Sequence, residues 1–193
     1  LKSGALPAAL SCLAVSSEGP IDLARFKKLE WLDVRAPGTL AVLPEKLKVL
    51  TVRQLRVEVS ALARLDGLQS LAVHDTESVV LEGSFKALER LRVENVAQVT
   101  IAKLSAPRLR ALDLRRSNVN ALDLEAPLLE EAVLLDDHFP SDVSAAFAKA
   151  HPAVAPIRDW TAFLRHTFRD ADGLRVRTGS TRELPASETM LDL

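Results

Sequence analysis

Cysteine occurs once in the 193 residues, at Cys12. A framework of internal disulfides is excluded, and a lone thiol fits a reducing, cytoplasmic compartment. Tyrosine is absent and aromatics amount to 4%, little for a site that stacks sugars or nucleotides. The seven glycines are scattered and build no phosphate-cradling loop. Neither sign of charge is in excess: 25 basic against 26 acidic residues leave a formal −1, with no global pull toward nucleic acid or an anionic membrane. No apolar run approaches the roughly 18 residues that a membrane span needs. The opening LKSGALPAAL lacks the basic start and long apolar stretch of a secretion signal. The chain begins with Leu1 rather than Met, which suggests a segment of a longer protein. Arginine outnumbers lysine and alanine is plentiful, which suggests a GC-rich bacterial source.

What is abundant is leucine, and it is periodic. Apolar residues make up 48% of the chain. The phrase Leu-x-x-Leu-x-Val starts at Leu10, Leu29, Leu47, Leu68 and Leu88, varies to LRALDL at Leu109 and is worn to LEEAVL at Leu129. Its second Leu and its Val stand two apart, which places them on one face of a strand. A second alternating apolar pair follows in each repeat: Ile21 and Leu23, Leu40 and Val42, Val57 and Val59, Val79 and Leu81, Val99 and Ile101. In the sixth repeat Val119, Ala121 and Leu124 compete for that register. Strand, helix and two connections would need at least about 23 residues. The spacings of 18 to 21 therefore predict an extended returning arm, with at most a single helical turn in places such as ALARLDGL. Pro7, Pro44, Pro107 and Pro127 fall just ahead of the first strand leucine, where proline fixes a turn without removing a ladder bond. One coil could not bury its own leucines; stacked coils share a continuous core, and seven strands would span roughly 30 Å.

At these residues, Leu10 to Leu135, the chain resembles the leucine-rich repeat family, whose consensus opens L-x-x-L-x-L. The resemblance implies a mainly β solenoid, a right-handed coil with a parallel sheet of about seven repeats, here with a second short strand per repeat. Its ninth position usually holds Asn or Cys bonded to the turn backbone; here that position holds Glu18, Pro37, Leu55, Thr76, Val96 and Ser117. The absent asparagine ladder points to a flatter, two-sheet solenoid.

The period breaks after Leu135, and three regions are expected: a solenoid over 1–138, a helical C-terminal cap over 139–169 and a polar tail over 170–193. SDVSAAFAKA reads as a helix capped by Ser141, with Val143, Ala146, Phe147 and Ala150 on one face and His151-Pro152 as its stop. AVAPI reads as one further strand. IRDWTAFLRHTF reads as a second helix with Asp159 near its start and an apolar stripe of Trp160, Phe163, Leu164 and Phe168.

Catalytic signatures are sparse. His74, His138, His151 and His166 show no metal-binding spacing with one another or with Cys12. His138 follows Asp136 and Asp137 as a loop cluster, and His74-Asp75 reads as an exposed strand end rather than a catalytic pair. No cofactor or metal is expected. The outward positions of the repeat strands remain, and they nominate Trp31, Asp33, Arg35, Arg53, His74, Arg90, Arg92, Glu94 and Arg115 as a partner-binding face. Trp and Arg are the residues most enriched at binding hot spots. The expected function is a non-catalytic scaffold that presents this face to another protein, with no nucleic-acid or membrane partner. The alternative is the recognition part of a larger enzyme such as a kinase, ligase or ATPase; self-association through the N-terminal edge is a further possibility.

Overall fold

A computed structural model describes residues 9–167 apart from 19–22, 24–25, 41, 55, 58–61, 63 and 136–137. The tail over 170–193, Asp136 and Asp137 of the loop cluster, Phe168, and Ile21 and Val59 of the second apolar pairs lie outside the described residues. The chain divides into two compact units, Leu1–Arg158 and Asp159–Leu193.

The first unit is a β solenoid. Each repeat phrase yields a five-residue strand: β1 (Cys12–Ser16), β2 (Trp31–Arg35), β4 (Val49–Arg53), β6 (Ser70–His74), β8 (Arg90–Glu94), β10 (Ala111–Arg115) and β12 (Glu131–Leu135). They form one parallel sheet in that order, and every pair is in register, so Leu32, Leu50, Leu71, Leu91, Leu112 and Ala132 line up. Five coils close with a strand on the opposite wall: β3 (Thr39–Leu40), β5 (Arg56–Val57), β7 (Ser78–Ser84), β9 (Gln98–Ser105) and β11 (Val119–Glu125). These form a two-stranded and a three-stranded parallel sheet.

The two periodicities explain the core. Strand alternation sends Leu32 and Val34, and their equivalents up to Leu112 and Leu114, inward from one wall; Val79, Leu81, Val99 and Ile101 arrive from the other. Leu10, which opens the first phrase, is half-buried, while the leucine that opens each later phrase (Leu29, Leu47, Leu68, Leu88, Leu109, Leu129) is buried with them. Each such side chain contributes about 1.5–3 kcal/mol by leaving water. In the sixth coil Val119 pairs with Val99, Leu122 with Ile101 and Leu124 with Leu104, across two register shifts. Asn120 and Lys103 are the residues left over, and Lys103 takes φ +49° as a bulge residue. The expected inward pair Leu40 and Val42 is corrected by half. Leu40 is buried, but β3 ends there and Val42 is 58% exposed.

Two backbone columns hold the coils together. The carbonyl just before each strand accepts two N–H groups from the next coil: Glu30 O takes Lys48 N at 2.8 Å and Val49 N at 3.0 Å, and Ser11, Lys48, Gln69, Glu89 and Arg110 repeat the pattern. Just after the strands, Gln54, Asp75, Asn95 and Arg116 sit in the left-handed region at φ +52 to +58°. Each donates its N–H to the last strand residue of the following coil, at 2.8–3.1 Å. This column of left-handed residues turns the chain where an asparagine ladder is missing. Asn and Asp tolerate that conformation best, and Asn95 Nδ2 donates to Asp75 Oδ1 at 2.7 Å. One residue keeps the ladder's role: buried Ser117 accepts from Val96 N at 3.2 Å and donates to Arg115 O. Ahead of the later strands, Leu109 N bonds Ala106 O and Leu129 N bonds Ala126 O. Pro107 and Pro127 therefore occupy the second turn position, where a fixed φ fits.

Beyond β12 the chain adds α1 (Ser141–Ala150) and α2 (Trp160–Thr167). Helix α1 packs against β11. Ser141 is its first residue rather than its cap: Pro140 holds the cap position and no side chain bonds there. Only Phe147 of its expected face is buried and Val143 is half-buried, while Ala146 and Ala150 are exposed. Phe147 joins the core and Val143 packs against it, and the His151 ring lies 4.9 Å from the Phe147 ring. His151 is buried and its Nε2 lies 3.2 Å from Leu124 O. In AVAPI, Ile157 bridges Val133 in parallel and bonds Ala132 O and Leu134 N, which extends the sheet by one residue. In the second unit, Asp159 Oδ1 caps α2 by accepting Ala162 N–H at 2.8 Å. Trp160 and Phe163 meet edge to face at 5.6 Å, and with Leu164 they are half-buried.

Candidate interaction surface

Strict register turns the outward positions of the main sheet into three rows. The first runs Cys12, Trp31, Val49, Ser70, Arg90, Ala111, Glu131; the second Ala14, Asp33, Thr51, Ala72, Arg92, Asp113, Val133; the third Ser16, Arg35, Arg53, His74, Glu94, Arg115, Leu135. All nine nominated residues thus stand on one face. They do not behave alike.

Over β6, β8 and β10 the polar side chains close on one another. Glu94 receives Arg92 Nη2 at 2.7 Å, faces His74 Nδ1 at 3.4 Å and lies 3.9 Å from Arg115. Arg115 holds Asp113 with Nε at 2.8 Å and Nη2 at 2.9 Å, a bidentate fork of the kind that fixes geometry. Arg92 Nε is buried without a hydrogen-bond partner and faces Asp113 at 3.6 Å. The hydrogen bond from His74, followed by the charges of Arg92 and Arg115, holds the Glu94 carboxyl at about 2 although burial pushes it up; by distance Arg92 is the nearer partner. Asp113 goes the other way: burial raises it, against the pull of Arg115 and Arg92.

Two expectations change here. His74, read as an exposed strand end, is 6% exposed, and so is Arg115. Both stand inside the third row with Glu94 between them, so flanking side chains on both sides cover them. Asp113, the carboxylate that completes the cluster, was not nominated. Arg115 stands two residues from Asp113 on the same strand face, a pairing that alternation made legible. Nothing in the sequence signals that Arg92 of the preceding repeat converges on the same carboxylate.

The other half of the face is more open. Arg35 is exposed and donates from Nε to the neutral Gln54 Oε1 at 3.1 Å. Arg53 reaches Asp33 at 3.6 Å, with 42% of its side chain exposed. Arg90 is exposed between the uncharged Ser70 and Ala111. Trp31, expected to stand out from the sheet, is half-buried beside Val49. At the far edge Val133 and Leu135 share the outward rows yet are buried.

Among the described residues no three His, Cys, Asp or Glu side chains are grouped to hold a metal ion, and no helix is long and apolar enough to cross a membrane. Cys12 is exposed on β1. No family model, curated protein or solved structure matches this chain.

Proposed function

We propose that this chain is a non-catalytic protein-interaction scaffold that presents the outward face of its main sheet to a partner protein. The observation that carries the reading is the unbroken register of seven strands, which holds an aromatic, the accessible Arg35, Arg53 and Arg90 and several carboxylates in fixed rows while the leucines fill the core. A face ordered in advance loses little further freedom on binding, and Trp and Arg are the anchors such interfaces favour. The resemblance to leucine-rich repeats supports the same reading.

The test is affinity capture with the wild-type chain and with the double variant Trp31→Ala, Arg53→Glu, after circular dichroism shows both folded. Loss of the wild-type partner in the variant is the expected result. Retention of every wild-type partner refutes this face as the binding surface.

A further inference from the structure

The ion pairs divide the face into a half whose charges balance and a half whose charges do not. In the balanced half, Arg92 and Arg115 are matched by Glu94 and Asp113, a net charge of zero, and each of these groups has an opposite charge within 4 Å. In the open half, Arg35, Arg53 and Arg90 are set against Asp33 alone, a net charge of +2. Among the described residues Arg35 and Arg90 form no ion pair. The open half also has a distinct floor. Val49 and Thr51 of β4, with Ser70 and Ala72 of β6, are small and half-buried. Trp31 of β2 stands on one side of this floor and Arg90 and Arg92 of β8 on the other. Three strand spacings separate those walls, about 14 Å. One extended chain with its side chains fits such a width, since packed sheets lie about 10 Å apart.

From this we infer that the receptive part of the face is the trough over β4 and β6, and that its occupant is an extended acidic segment of a partner protein carrying an apolar side chain. The inference rests on the scaffold reading and narrows it. The apolar side chain packs on Trp31 and Val49 at the strand-entry end. Carboxylates reach Arg35 and Arg53 at the strand-exit end, four residues or about 13 Å away, and Arg90 on the flank. Thr51 and Ser70 supply hydroxyls to the segment's backbone. An Arg–carboxylate pair in such a trough is charge-assisted and directional. The β8–β10 cluster contributes as a rigid wall, because a ligand carboxylate there would have to displace Glu94 or Asp113.

Fluorescence anisotropy of the full chain against three labelled peptides tests this: repeating Glu-Leu-Glu, Gln-Leu-Gln and Lys-Leu-Lys of equal length, with single-stranded oligothymidylate as a fourth probe. The expected order places the Glu peptide tightest, with affinity falling as salt rises. Arg35→Glu, Arg53→Glu and Arg90→Glu should each weaken it at least roughly tenfold, about what the loss of one charge-assisted hydrogen bond costs. Arg110→Glu changes net charge equally but sits at a strand entry, outside the three rows, where it pairs with Glu130; it should leave the affinity unchanged. Equal binding of the Gln or Lys peptide that is lost in Trp31→Ala overturns the acidic partner while the face reading stands. Oligothymidylate binding as tightly as the Glu peptide overturns it in favour of a general polyanion. An equal effect of Arg110→Glu, or no binding of the Glu peptide, overturns it as well; the capture experiment then judges the scaffold reading on its own.

Discussion

Replacing Glu94 with Gln removes one charge and almost no volume from the centre of the β8–β10 cluster. Three groups lose their shared carboxylate: Arg92 at 2.7 Å, His74 at 3.4 Å and Arg115 at 3.9 Å. The magnitude follows from the depressed carboxyl. A fall from 4.5 to about 2 corresponds to about 3 kcal/mol at 1.36 kcal/mol per tenfold change. Arg92 is 42% exposed at its side chain, and screening on that side brings the expected loss to about 2 kcal/mol. The sign fixes the pH window. A depressed carboxylate contributes fully above its unfolded value near 4.5 and loses that contribution as pH falls toward 2. Asp113, raised by burial, opposes this: its protonation in acid favours the folded state and offsets part of what Glu94 loses. Urea unfolding of wild type and Glu94→Gln across this range isolates most of the Glu94 contribution, because Asp113 is present in both and the Glu94 charge is the smallest of the causes that shift it. The variant should be about 2 kcal/mol less stable near neutral pH, a drop in Tm of about 4–8 °C for a chain of this size. The gap should shrink to under half near pH 3 and close near pH 2. A loss under about 0.5 kcal/mol, or one that stays constant from neutral pH to pH 3, would refute the charge network as the source.

Ser117→Ala should cost about 1–3 kcal/mol in the same unfolding assay, since it leaves the Val96 N–H buried without its acceptor; a neutral substitution would mean that the turn does not depend on this hydroxyl. Lys103 carries the bulge of β9 at φ +49°. Lys103→Gly should therefore stabilise the fold by up to about 1 kcal/mol, and Lys103→Val should destabilise it by about 1–2 kcal/mol, so equal effects of the two would remove the strain argument.

Much of the architecture was legible because it is written in period. An apolar pair two apart, repeated at 18 to 21 residues, admits few arrangements other than stacked coils with strands on two walls. The same rule went wrong where the pairing stopped. Val42 continues the alternation after Leu40, but β3 has already ended and the side chain is exposed. The bulges of the sixth coil were visible only as three residues competing for one register. The left-handed column was not read from the sequence: Asp75 and Asn95 are residue types that tolerate that conformation, but Gln54 and Arg116 hold the same role, each bonding through its N–H to the neighbouring coil.

The face divides along the same line. Sequence by itself determined that the leucines are scaffold and that Trp31, Asp33, Arg35, Arg53, Arg90 and their row-mates share one side of a sheet, because strand alternation is a local property of the backbone. It could not rank them. Only the tertiary structure decided that Glu94, Asp113, Arg92 and Arg115 neutralise one another and bury His74, while Arg35, Arg53 and Arg90 remain accessible. The tighter Arg92–Glu94 and Asp113–Arg115 pairs lie two residues apart on one strand face, which alternation already placed together. For the rest the reason is distance: His74 and Glu94, Arg92 and Asp113, and Glu94 and Arg115 are about twenty residues apart along the chain and about 5 Å apart across the sheet. Electrostatic pairing depends on the second separation alone.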